Sequence, residues 1–394
     1  MLDSLKKKIK VEVGNINFVG GPYEIFDKNV ILFLNEISKE IFNTHQCKKF
    51  PDLISFGFWC RKANVQSIFE KYKHFKNRLG RGTTLHITPS NVPTNFAYSM
   101  AFGLLSGNNN IIRLSSRNYH QLNILKKILN KLSKKKKLKE SFKRFALIKY
   151  ETSDFISSEL SKNVEARVIW GGDSTIKKFK SYNTKPRCID LTFANRYSIS
   201  IINSDYLSKV NINIKNLARK FYNDTYTMDQ FGCSSPTSIF WLGQNKIVRE
   251  NFWSELREIV NNNYDFDISG ANKKISNLMN YSIELENINR INIENFNLIR
   301  LKNEIKKFKN FHEINFGTFY EYNLKNLDNL RYFVTEKLQT ITYVGIKLEV
   351  IKKFIIKNNI KGIDRIVPVG RAFDITPEWD GVDIISTLSR TIAT

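Results

Sequence analysis

Residues 83–117 read TTLHITPSNVPTNFAYSMAFGLLSGNNNIIRLSSR. The first six, 83–88, are short and rich in β-branched side chains, as a strand requires. Pro93 then opens a mostly apolar run, 94–106. Proline suits a first helical position and Gly107 suits a stop, so the run predicts a helix. Residues 108–110, three asparagines, predict a turn, and 111–114 the next strand. The pattern is strand, helix, strand, the unit from which helix-covered parallel sheets are built.

Working outward, the alternation continues. Residues 118–132 predict a helix and 134–143 a basic stretch, its lysine run 134–137 read as a solvated loop or helix end. Residues 145–150 predict a strand, 154–162 a helix and 166–170 a strand. Gly171-Gly172 turns the chain into a helix over 174–182, and 197–202 predict a strand. The expected fold class is therefore α/β with a doubly wound parallel sheet. Upstream, 29–41 and 65–79 space apolar residues by three and four, the mark of amphipathic helices. A second unit is expected from residue 204: a helix over 210–225, a small-residue loop 232–236, a strand over 237–242 and a helix over 246–260. Residues 261–310 carry no clear pattern. Residues 332–340 and 341–348 predict a helix and a strand, and the tail from 364 reads as irregular but ordered. Four regions follow: 1–80, 81–203, 204–363 and 364–394.

Composition narrows the function. The 394 residues carry 62 Lys+Arg against 37 Asp+Glu, a formal charge of +25. Such an excess can serve nucleic acid or anionic lipid. Here Lys, Asn and Ile are abundant along the whole chain, so compositional bias explains it and a nucleic-acid partner is not expected. The four cysteines (Cys47, Cys60, Cys188, Cys233) are too scattered for a disulfide framework or a zinc knuckle. The five histidines (His45, His74, His86, His120, His312) show no metal-ligand spacing, so no metal is expected. Residues 1–13 are charged where a secretory leader would be apolar. No uncharged apolar run reaches the roughly 18 residues of a membrane span. A cytoplasmic protein is expected.

Four places offer chemistry. Cys233 sits among Gly232, Ser234 and Ser235, small neighbours that let an acyl group approach a thiolate; a buried structural thiol is the alternative. Asn91, between a strand end and a helix start, can aim its amide at a developing oxyanion, or simply cap the helix. Gly171, Gly172 and Ser174, at a strand–turn–helix junction, can lie along a dinucleotide, or form a tight turn. Arg113 and Arg117 can grip phosphate, or face solvent.

In order along the chain, these segments resemble one family. Residues 87–117, 168–179 (VIWGGDSTIKKF), 229–236 (DQFGCSSP) and 362–390 (GIDRIVPVGRAFDITPEWDGVDIISTLSR) are similar to acyl-CoA/acyl-protein reductases. That family is typified by the fatty-acid reductase subunit of bacterial bioluminescence and lies within the aldehyde dehydrogenase superfamily. The resemblance implies that 1–80 packs on a dinucleotide-binding domain, 81–203. It implies a catalytic domain, 204–363, and a tail, 364–394, that returns to the cofactor domain and helps subunits associate. Cys233 matches the acyl-accepting nucleophile and Asn91 the oxyanion-hole asparagine. Arg113 stands where the superfamily usually has a lysine, and Gly171-Gly172 match the turn along the cofactor. Hydrolytic relatives carry a water-activating glutamate in Glu-Leu-Gly-Gly; the corresponding residues 189–193 read IDLTF, leaving Asp190 as an acid/base candidate. The function implied is NADPH-dependent reduction of an activated acyl group to an aldehyde through an acyl-Cys233 thioester. The acyl donor would be CoA, a carrier protein or a partner acyl-transferring enzyme, and the protein a homo-oligomer. Two alternatives stand beside it: reduction of an acyl phosphate, and a non-catalytic basic binding module on the same fold.

Overall fold

A computed structural model describes residues 8–74, 77–210, 212–265, 268–284, 288–303 and 314–393; His312 lies outside them. The chain forms two compact units, Met1–Asn195 with Ile375–Thr394, and Arg196–Asp374.

Before Asn195 the described residues of the first unit hold seven strands in chain order: β1 (Lys10–Gly14), β2 (Arg78–Gly80), β3 (Thr83–Ile87), β4 (Asn109–Arg113), β5 (Phe145–Lys149), β6 (Ala166–Trp170) and β7 (Ile189–Phe193). Six of them form a sheet in the order β1-β5-β4-β3-β6-β7. β3 to β7 run parallel, and the edge strand β1 pairs antiparallel with β5. The chain winds one way from β3 through β4 to β5, then crosses back to β6 and β7. That reversal makes the carboxyl ends of β3 and β6 the switch point of a doubly wound sheet, where such folds open a ligand crevice. The helix Asn95–Leu105 is buried on every side, which explains why its sequence is apolar all round. Each large aliphatic side chain so placed contributes roughly 1.5–3 kcal/mol.

In the second unit β8 (Tyr197–Asn203), β9 (Pro236–Leu242), β10 (Ile288–Asn295), β11 (Leu298–Asn303), β12 (Thr318–Asn323), β13 (Leu338–Val344) and β14 (Arg365–Pro368) form a sheet ordered β10-β11-β12-β9-β8-β13-β14. Only the β10–β11 pair is antiparallel. A core including Ile199, Phe240, Tyr322 and Ile341 lies on one side; Phe221, Trp241, Trp253 and Phe319 pack on another.

Several expectations are revised. The unit boundary falls before β8, not after it, because β8 bonds β9 and β13 of the second sheet. The tail divides at 375 rather than 364: β14 stays with the second sheet, while the strand Ser389–Thr391 pairs with β2. This pairing also cuts short the helix expected over 65–79. It runs only Lys62–Glu70, since Arg78–Gly80 is recruited as a strand. The helix expected over 210–225 starts at Ile214, capped by Asn213, and a separate short helix capped by Asn203, Ser204–Lys209, precedes it. Residues 332–337 are not α-helical; a 3₁₀ turn, Leu327–Tyr332, leads into β13. Asn108–Asn110 is not a solvated turn. Asn108 is buried, and its Oδ1 accepts from the backbone of Arg81 (2.7 Å) and Gly82 (3.1 Å) while its Nδ2 donates to Leu388 O (2.9 Å). The lysine run is not merely solvated either: its Lys135 and Lys137, with Lys131 just before it, pair with Glu36 and Glu40 on the helix Lys28–Asn43.

Candidate active site

In the first unit the cofactor candidates gather at one sheet edge. Asn91 lies exposed in the loop that leaves the carboxyl end of β3. The next helix begins at Asn95 with Thr94 in the cap position, so the capping alternative for Asn91 fails. Thr88 Oγ1 donates to Arg113 O (2.7 Å), and the Tyr119 hydroxyl to Ser90 O, tying the loops after β3 and β4 together. Thr88, Val92, Pro93, Leu114 and Tyr119 line a small cleft between them. Arg113 ends β4 with its guanidinium 4.6 Å from the centre of the Tyr150 ring. Its Nε is buried without a hydrogen bond. Arg117 is exposed beyond it, over Tyr119.

Gly171 and Gly172 follow β6 across the switch point from β3. Neither has a positive φ. A Cβ on Gly171 would press Thr175 at 3.1 Å, whereas one on Gly172 would meet Asn195 at an ordinary 3.5 Å. Gly172 caps the helix Asp173–Lys180, and Ser174 is exposed in its first turn. Beneath this edge runs a buried chain of donors. Trp170 Nε1 donates to Ser99 Oγ (3.1 Å), Ser99 Oγ is 2.7 Å from His86 Nδ1, and His86 Nε2 is 2.9 Å from Asn110 Oδ1. Asn110 Nδ2 donates to Asn108 O (2.7 Å), which leaves its Oδ1 to accept from His86 Nε2–H. The imidazole is thus neutral and satisfied, and burial pushes its pKa down to about 4. Gly103 is required here, since a Cβ would fall 1.9 Å from Asn110 Oδ1.

Asp190 stands apart from these groups. It is the second residue of β7, opposite Arg167 near the amino ends of the strands. Both its oxygens accept from Arg167, at 2.7 and 2.6 Å, and Arg167 also donates to Phe179 O. The bidentate pair occupies the oxygens that an acid/base role would need, so Asp190 fastens β6 to β7.

In the second unit the segment 229–236 builds a tight loop ahead of β9. Asp229 and Gln230 take positive φ of 51° and 62°. Asp229 is held by the Tyr264 hydroxyl (2.6 Å). The buried Gln230 amide donates to Thr318 O (3.0 Å) and accepts from Gly317 N (2.8 Å). Gly232 makes room for Phe373, whose ring would lie 2.7 Å from an added Cβ. Ser235 Oγ donates to Asp224 O (2.8 Å). Cys233 therefore sits on a braced loop, half-buried. Its carbonyl accepts from Ser198 Oγ (2.7 Å) and its sulfur from Gln339 Nε2 (3.2 Å).

Beside this loop lies Arg365, which donates to Ala372 O (2.6 Å), Arg371 O (3.0 Å) and Asp374 O (2.5 Å). It interacts electrostatically with Asp374, Asp224 and Cys233. The buried Asp224 accepts from Gly370 N (2.6 Å) and Ala372 N (2.9 Å). Burial pushes its pKa up to about 7, against the pull of those bonds. A carboxyl that binds its proton more tightly when folded makes stability fall as pH rises from about 4 to about 7. Asp224→Asn should flatten that fall, by up to about 4 kcal/mol at about 1.4 kcal/mol per pH unit. Urea-denaturation midpoints across this range check it; parallel profiles for the two proteins would contradict it.

Ser198, Asp224, Gln339 and Arg365 were not singled out from sequence. Gln339 offered a signal, a lone amide in the otherwise apolar and β-branched strand 338–344. Arg365 lies inside the quoted segment 362–390.

The profile of the acyl-CoA reductase family typified by LuxC matches residues 62–391. The chain belongs to the LuxC acyl-CoA reductase family. It is thus an oxidoreductase of acyl and aldehyde groups. No curated protein sequence matches it. Solved structures with the aldehyde dehydrogenase fold do. A lactaldehyde dehydrogenase aligns at TM-score 0.60 and 16% identity, covering 86% of this chain and 78% of that one. A NAD-dependent benzaldehyde dehydrogenase from Corynebacterium glutamicum aligns at 0.60 and 11%, covering 92% and 82%. A Rhodopseudomonas palustris propionaldehyde dehydrogenase with bound propionyl-CoA aligns at 0.56 and 12%, covering 91% and 89%. At these identities the likeness establishes the fold of this LuxC family member. Among its described residues no helix is long and apolar enough to cross a membrane.

Proposed function

We propose that the protein reduces an activated acyl group to an aldehyde through a thioester on Cys233, with NADPH as reductant. The observation that carries this reading is the contrast among the four cysteines. Cys47 and Cys60 are fully buried, with burial pushing the first thiol up to about 11 and the second well above its ordinary value. Burial also raises Cys188, at the margin of the first core. Cys233 alone combines a braced loop, partial exposure, a hydrogen-bond donor on sulfur and a nearby guanidinium. These are the features of a thiolate nucleophile.

The steps balance as follows. Cys233 gives its proton to solvent and its sulfur attacks the acyl carbonyl carbon. The bond to the donor's sulfur breaks and CoA, or a carrier's thiol, leaves. A nicotinamide cofactor, when bound, supplies a hydride to that carbon. The resulting oxyanion collapses, the carbon–Sγ bond breaks, and aldehyde leaves with Cys233 again a thiolate. The Asn91 carboxamide and the Cys233 backbone N–H serve as oxyanion donors.

The first unit's residues fit the cofactor. The buried, unbonded Nε of Arg113 at the carboxyl edge of the sheet suits an anionic group. With Arg117 it would recognise the 2′-phosphate, while Gly171, Gly172 and Ser174 would lie along the dinucleotide. Arg113→Ala should raise KM for NADPH by about 10–100-fold, the worth of a charge-assisted contact, and that for NADH far less. Equal losses would count against the 2′-phosphate role. Turnover with a panel of CoA thioester, carrier-protein thioester and acyl phosphate, read as trapped aldehyde, tests the function itself. Aldehyde from a thioester supports it, and no aldehyde from any donor overturns it.

A further inference from the structure

Two contacts on Cys233, one at its carbonyl oxygen and one at its sulfur, lead to one residue. Thr340 N–H donates to Ser198 Oγ (3.2 Å), and Ser198 Oγ donates in turn to Cys233 O (2.7 Å). Thr340 Oγ1 donates to Gln339 Oε1 (3.2 Å), and Gln339 Nε2 donates to Cys233 Sγ (3.2 Å). Ser198, Gln339 and Thr340 are all fully buried. Ser198 and Thr340 face each other across the β8–β13 pairing. The sheet thus fixes the amide that meets the sulfur. Three details make the arrangement specific. The Thr340 hydroxyl occupies Gln339 Oε1, which orients the amide so that its N–H₂ points at sulfur. An N–H donor favours a thiolate over a thiol, because only the anion accepts strongly. Finally, Gln339 spends an amide in a strand buried on both faces, where an apolar side chain is the ordinary choice.

We propose that Gln339 is a catalytic residue that holds the Cys233 sulfur as a thiolate, with Thr340 and Ser198 as positioning residues that aim the amide and fix the loop. This deepens the reading of Cys233 as nucleophile and rests on it. The thiolate formed first by Cys233, and again when the aldehyde leaves, accepts the same N–H. Gln339 therefore eases both ends of the cycle.

The test uses thiol chemistry, so it does not require turnover. Full-length protein, Gln339→Met, Gln339→Glu and Thr340→Val are alkylated with iodoacetamide from pH 5 to pH 10. Carboxamidomethylation of the Cys233 peptide is followed by mass spectrometry. Gln339→Met removes the donor at similar volume. Its alkylation rate at pH 7 should fall about tenfold or more, with the titration midpoint moved up by about one pH unit. Gln339→Glu places an anion against the sulfur and should move it further. Thr340→Val keeps the shape, frees the amide to turn and should give a smaller shift of the same sign. An unchanged midpoint in Gln339→Met overturns the proposal. Should that variant fail to fold, unchanged midpoints in Gln339→Glu and Thr340→Val overturn it equally. Because no acyl donor is present, this failure is distinct from failure of Cys233 to form a thioester.

Discussion

Cys233→Ala should fold, retain cofactor affinity and lose aldehyde formation by at least about 10⁴-fold, the scale on which removal of a covalent nucleophile is felt. The fold should tolerate the change. The loop's bracing runs through Gln230, Ser235 and the Cys233 carbonyl, none of which uses the thiol. The change removes the Gln339 contact to sulfur, which costs about 1–3 kcal/mol for a buried N–H that loses an acceptor. Cys47→Ala and Cys60→Ala provide the contrast, since both thiols are buried and silent chemically. They should lower thermal stability while leaving kcat of the folded fraction near that of the parent. Steady-state rates with a CoA thioester, together with melting curves, separate the cases. A Cys233→Ala protein that still makes aldehyde within tenfold of the parent would contradict the covalent route.

Asn91→Ala should lower kcat by about 10²–10³-fold, or about 3–4 kcal/mol in the barrier, and change KM little. A donor that meets an oxyanion acts in the transition state rather than in the ground state. Asn91 is exposed in its loop, and the helix after it starts from Thr94. Its loss should therefore alter stability by no more than about 0.5 kcal/mol, as for ordinary surface positions. Asn91→Asp should be worse than alanine, since a carboxylate repels the charge that the amide stabilises. A variant that raises KM at unchanged kcat would instead place Asn91 in ground-state binding.

The first sheet was readable because its strands are short, β-branched and punctuated: Pro93, Gly107 and Gly171-Gly172 mark real junctions. The carboxyl-edge grouping of Asn91, Arg113 and Gly171 followed from the same alternation. What stayed hidden depends on tertiary pairing. β1 gives no local signal because it is an edge strand fixed by β5. Residues 78–79 read as the end of a helix until Ser389–Thr391 pairs with 78–80. The asparagines 108–110 look like a turn because their burial is bought by partners distant in sequence, Arg81 and Leu388 among them. Asp190 reads as a free carboxylate until β6 sets Arg167 opposite it. The support around Cys233 comes from Ser198, Asp224, Gln339 and Arg365 on four separate segments, and no linear spacing joins them.

The covalent step can be observed alone. The intact protein, incubated with acyl-CoAs of several chain lengths and no NADPH, should gain the mass of one acyl group, less one hydrogen. Peptide mapping should place it on Cys233, and adding NADPH should discharge it as aldehyde. An unchanged mass with every acyl donor, or an adduct that persists in Cys233→Ala, would contradict the thioester mechanism.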